Sequence, residues 1–146
     1  MERGRRGVTL MEMLVVVAIA AAMAMIALPA FSSGLDSLRL SQASDSVAAF
    51  LNGGLNRATR RQQPVEISVV PYENAIWLRS ADGAFARKLD MPDGVRIEGD
   101  MRRLMLLPGA TPPRFGVQLA NRRGRRTIVR IDPITGVPQI ERLDHP

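Results

Sequence analysis

A single carboxylate sits inside a run that is otherwise apolar. Residues 8–31 read VTLMEMLVVVAIAAAMAMIALPAF, in which Glu12 is the only charged side chain. An ionised group at membrane depth costs about 2.5–3.5 kcal/mol at the bilayer centre, less near the interface, and it usually persists because it has a partner. No basic residue lies between Glu12 and Arg39. The plain reading is that Glu12, close to the start of the run, reaches the headgroups. A sharper reading supplies the cation by proteolysis. A cut after Gly7 leaves Val8 as a new N-terminus, and its amine then lies at the same depth as Glu12 of a neighbouring subunit. Glu12 becomes an assembly device.

A second cluster is Arg122, Arg123, Arg125 and Arg126, set around Gly124. Four guanidiniums this close create a strong local positive field. Charge runs are usually solvated faces. The functional reading is contact with DNA phosphates or with an acidic partner. No aromatic residue interleaves the run to stack on bases, so phosphate contacts alone would give salt-sensitive, sequence-independent binding.

Enzymatic chemistry finds little material. The chain has no glycine-rich phosphate loop, no HExxH and no nucleophile elbow. His145 is the only histidine and stands next to the end of the sequence. There is no cysteine, so neither a disulfide nor a thiolate site can form. Asp90, Asp93, Glu98 and Asp100 are the nearest thing to an acidic cluster, and they lack the spacing of a calcium loop. The expectation is a non-enzyme without metal or cofactor.

These groups need elements to hold them. The 146 residues suffice for one domain and an appended segment, and 46% are apolar. The formal charge is +6, and every basic residue except Lys88 is arginine. Met13 to Phe31 carries no formal charge, and a helix of that length covers roughly 28 Å, close to the hydrocarbon thickness. Arg3, Arg5 and Arg6 precede it and hold that end in the cytoplasm, so the rest lies outside. A cleaved secretory signal is the alternative, with Ala20 to Ala22 or Ala22 to Ala24 as its cleavage site. Against it stand Glu12 and an apolar run longer than the usual 7–15 residues.

Pro29 should bend or break the helix, because it lacks an N–H and its ring clashes with the preceding turn. Helical spacing resumes beyond it with Leu35, Leu38, Leu40, Ala43, Val47, Phe50, Leu51, Leu55 and Ala58. The spacing predicts one helix over about 8–61, kinked or locally melted near Pro29, with Gly53 and Gly54 as weak points. After Pro64 the period shortens to that of strands. Strands are expected over 65–70, 75–79, 84–89, 94–98, 103–107, 115–120, 127–131 and 137–143. Tight turns are expected at Ser80 to Gly83 and at Asp132 to Gly136. The expected class is α+β: a long N-terminal helix packed on an antiparallel β-sheet or sandwich head.

Gly7-Val8-Thr9-Leu10-Met11-Glu12 resembles the processing motif of type IV prepilins and type II secretion pseudopilins. The resemblance implies that a prepilin peptidase cuts after Gly7 and methylates the amine of Val8. It implies that Glu12 serves subunit assembly and that Pro29 kinks a pilin-like helix. Val8 departs from the family's usual phenylalanine. Leu55 to Val65 and Ile131 to Gly136 are similar to the helix exit and terminal hairpin of the H-type (GspH/FimT-like) minor pseudopilins. The implied organisation is a leader over 1–7, a transmembrane and assembly half of the helix over 8–31, an amphipathic half over 32–62 and a periplasmic β-rich head over 63–146. The implied function is that of a minor pseudopilin near the tip of a type II secretion pseudopilus. It would sit in the cell inner membrane with other pseudopilins or pilins, and meet secreted cargo or the outer-membrane channel. The alternative is a minor type IV pilin whose arginine loop contacts nucleic acid, the less favoured partner.

Overall fold

The protein is represented by a computed structural model that describes residues 9–143, without the side chains of 27–33. One helix, α1 (Leu10–Arg61), is followed by eight strands. They are β1 (Val65–Val70), β2 (Ala75–Ser80), β3 (Ala86–Asp90), β4 (Val95–Glu98), β5 (Arg102–Leu106), β6 (Gly116–Asn121), β7 (Arg126–Ile131) and β8 (Pro138–Leu143). A short 3-10 turn, Pro71–Glu73, joins β1 to β2. The chain divides into two compact units, up to Leu35 and from Asp36 onward.

In the first unit the chain is helical from Leu10. Thr9 caps it: the Glu12 N–H donates to Thr9 Oγ1 at 3.2 Å, which satisfies one of the free amides of the first turn. The α-helical run continues through Pro29. The local melting expected there does not occur. A proline removes one hydrogen bond and strains one turn, and the bonds on either side can still carry the helix.

In the second unit the helix buries Leu40, Ala43, Val47, Phe50, Leu51 and Ala58. Leu35 and Leu38, expected in the same stripe, are 52% and 55% exposed. At 3.6 residues per turn they fall well away from Leu40 and Val47 around the helix, so the apolar spacing there does not belong to the core face. Gly54 is no weak point. A β-carbon at that position would come within 2.9 Å of Leu78 Cδ2, so the missing side chain is what lets α1 approach β2. Gly53, one residue earlier, faces open space.

The helix ends on Gln62 in the left-handed region, with φ 51°. The Gln63 N–H donates to Ala58 O at 3.3 Å, which closes the last turn as a Schellman-type cap before Pro64.

The strands form two four-stranded antiparallel sheets, β3-β2-β1-β5 and β4-β6-β7-β8. The chain crosses to the second sheet as β4, returns as β5 beside β1, and crosses again for β6 to β8. Alternate residues of both sheets (Val65, Ile67, Ile76, Leu78, Val117, Leu119, Val129, Ile131) share one buried cluster with the helix stripe. β3 starts at Ala86, two residues later than expected. Ser80 N–H donates to Phe85 O and Phe85 N–H to Ser80 Oγ, so 84–85 belong to the turn.

Asn74 links the sheets. It is held at φ 51°, its Nδ2 donates to Val95 O at 2.8 Å, and its Oδ1 accepts the Ile97 N–H at 2.9 Å. One amide thus covers the free edge of β4, a protection that edge strands require.

Candidate functional site

The candidate assembly segment is the start of α1. Gly7 and Val8 lie outside the described residues. Glu12 is in the first helical turn, three residues after its cap Thr9, where the positive end of the helix dipole favours a negative charge. Around it Leu10, Met11, Met13, Leu14, Val15, Val16, Val17 and Ile19 are all more than half exposed or at its threshold, from 50% to 84%. A helix apolar on every side is stable only when something apolar surrounds it. Among the described residues no helix is long and apolar enough to cross a membrane. The described apolar side chains of the segment run from Leu10 to Ile26, about 25 Å of helix against a hydrocarbon core of about 30 Å. The side chain of Pro29 lies beyond them, outside the described residues.

The second candidate is the arginine loop between β6 and β7. Gly124, at φ 78°, lets the chain reverse. Asn121 builds the turn: its Oδ1 accepts the N–H groups of Arg123 and Arg125, each at 3.0 Å. The loop then faces its own helix. Arg123 Nε lies 3.4 Å from Asp36 Oδ2, and Arg125 Nη1 donates to Ser37 Oγ at 3.3 Å. Arg126 Nε lies 2.8 Å from Glu98 Oε2, close enough for an ion pair. Glu98 also receives Arg96 at 3.2 Å and the Gln118 amide at 3.1 Å. The stem of Arg122 lies against Gly94. Three of the four guanidiniums therefore meet acceptors on the same head, which sequence reasoning missed because Asp36, Ser37 and Glu98 are remote in the chain. The run grips the helix where the second unit begins.

The terminal hairpin is built on Asp132. Its Oδ1 accepts the Ile134 N–H at 2.7 Å and the Thr135 N–H at 3.1 Å, and its Oδ2 accepts the Gln139 amide at 2.9 Å. The backbone bonds from Thr135 and Ile134 hold the carboxyl below its ordinary value of 3.8. Among the described residues no group of three or more His, Cys, Asp or Glu is placed to hold a metal.

Residues 3–28 match the family model described as prokaryotic N-terminal methylation motif. No curated protein and no solved structure matches the chain. The motif supports a type IV prepilin-like protein of structural, pilin type, and it implies processing by prepilin peptidase and assembly with other pilins.

Proposed function

We propose that the chain is a minor pseudopilin of a type II secretion system, placed near the tip of the periplasmic pseudopilus. The observation that carries this reading is a methylation motif over 3–28 leading into a helix that is apolar and bare from Leu10 to Ile26. The same helix continues to Arg61 and leads into an antiparallel head. The helix exit through Gln62 and Gln63 and the Asp132 hairpin support the H-type assignment. In this reading the segment over 8–31 anchors in the inner membrane before assembly. Peptidase cuts after Gly7, and the Val8 amine meets Glu12 of the next subunit, so that two groups costly in lipid neutralise each other.

The alternative is a minor type IV pilin that holds DNA through Arg122, Arg123, Arg125 and Arg126. The contacts of Arg123, Arg125 and Arg126 with their own head weigh against it. If the four arginines bound phosphates, each lost contact would lower the log–log salt slope by about 0.9. Equal duplex-DNA titrations for the wild type and the quadruple alanine variant at two salt concentrations would remove that role.

N-terminal sequencing of the mature protein tests the main reading. The expected first residue is Val8. Gly7→Arg should accumulate as uncut precursor. Glu12→Ala should be cut normally and be missing from filaments. A mature start after Ala22, Ala24 or Ala30 would overturn the assignment to prepilins.

A further inference from the structure

A groove of about 480 Å³ opens where the end of β7 and the start of β6 meet β5 of the other sheet. Three arginines line it, Arg102, Arg114 and Arg130. Arg130 reaches Glu141 only at 3.8 Å. Arg102 and Arg114 are exposed and make no ion pair or side-chain hydrogen bond among the described residues. The sequence run 122–126 contributes nothing here, so this basic site is distinct from the arginine loop.

The base of the groove is apolar and fixed. Phe115 is 7% exposed, and its carbonyl accepts the Ile131 N–H at 2.8 Å. Gly116 lets Ile128 pack close over the backbone: a β-carbon there would meet Ile128 Cδ1 at 3.3 Å. Arg130 has Glu141 beside it, but Arg102 and Arg114 have no counter-charge among the described residues; like charges brought together repel, and an anion seated between them relieves that cost. Guanidiniums take carboxylates in paired, planar hydrogen bonds. The phosphate of a nucleic-acid backbone would satisfy the arginines and leave Phe115 and Ile128 facing a hydrated chain. An acidic side chain beside an aliphatic one satisfies both halves of the site, and the volume falls in the range of ligand pockets.

We propose that this groove is a docking site for an acidic peptide segment of a partner protein, with carboxylates on Arg102 and Arg114 and an aliphatic side chain over Gly116 and Ile128. The inference is independent of which filament the subunit joins.

The test uses the full chain in non-ionic detergent and a labelled, end-blocked Glu-Leu-Glu-Leu-Glu peptide, read by fluorescence anisotropy. Saturable binding is expected, weakened by salt and absent for the Gln-Leu-Gln-Leu-Gln counterpart. Arg102→Gln and Arg114→Gln should each weaken it about tenfold, the loss of one charge-assisted contact. Gly116→Val should weaken it by filling the base. Arg103→Gln, an exposed arginine on the same strand outside the groove, should leave it unchanged. The glutamine variants lie at exposed positions, and circular dichroism verifies that they remain folded. An equal loss in Arg103→Gln would reduce the effect to diffuse charge and overturn the proposal. So would displacement of the peptide by inorganic phosphate or a short oligonucleotide at equal concentration, or no binding of the peptide at all.

Discussion

Two neighbouring glycines show how differently one residue type can act. Gly53 is exposed with open space beside it, so Gly53→Ala should raise stability by about 0.8–1 kcal/mol, the helix propensity difference. Gly54 is buried against Leu78 and Leu106, so Gly54→Val should overpack that contact and cost about 1–3 kcal/mol. Urea melts of the two variants check both signs. Nothing in the dipeptide distinguishes its members, because the difference comes from a strand that begins over twenty residues later. Asn74 makes the same point with hydrogen bonds. Asn74→Gly keeps the left-handed backbone available but leaves Val95 O and Ile97 N–H without the amide, at a cost of about 1–3 kcal/mol. Asp132 adds a pH dependence. Its carboxyl titrates below 3.8 in the folded chain, so its contribution is complete above that value and is lost as pH falls through the lower, folded one. Asp132→Asn should flatten that acid limb of the melting temperature, and an unchanged limb would show that the turn bonds do not need the charge.

At the scale of elements, period alone carried most of the reading. The alternation in Val65–Val70 and Thr127–Ile131 and the turn chemistry of Ser80 to Gly83 placed strands that the structure contains, with ends shifted by one or two residues. Pairing was not legible. β5 joins β1 and β4 joins β6, and neither partnership leaves a mark in the strands' own sequences. The end of α1 was expected near residue 61, yet its capping device was missed, because glutamine is not the usual residue for a left-handed cap. That misfit is testable. Gln62 stands at φ 51°, where glycine carries no steric penalty, and its side-chain amide donates to Thr59 O at 2.8 Å. Gln62→Gly relieves the backbone and loses one exposed hydrogen bond, so a net gain of about 0.5–1 kcal/mol is expected. A loss would mean that the side-chain bond, not the backbone, controls the cap.

At the scale of the whole molecule, the two candidate sites were unequally readable. Gly7 and Glu12 stand in one short motif inside the matched residues 3–28, so the sequence alone puts them forward. The arginine run read as a solvated face, or else as a contact for phosphates or an acidic partner, because its partners, Asp36, Ser37 and Glu98, are scattered along the chain. Those partners make the loop a brace for the helix, and this sets the limits of the head. The second compact unit begins at Asp36, the residue that Arg123 meets. A fragment starting at Asp36 retains the helix stripe from Leu40 to Ala58 and both sheets, which together form the buried cluster. It should fold without lipid, give a circular dichroism spectrum of mixed helix and strand, and melt cooperatively. A fragment starting at Arg39 keeps the same cluster but lacks Asp36 and Ser37. Partly exposed contacts of this kind are each worth about 0.2–1 kcal/mol, and for a domain of this size such a loss lowers the melting temperature by a few degrees. High salt should narrow the gap between the fragments, because the Asp36–Arg123 pair is open to screening while the core is not. If both fragments melt together at low salt, the arginine loop is not bracing the helix. If neither folds, the head depends on residues before Asp36 or on a neighbouring subunit.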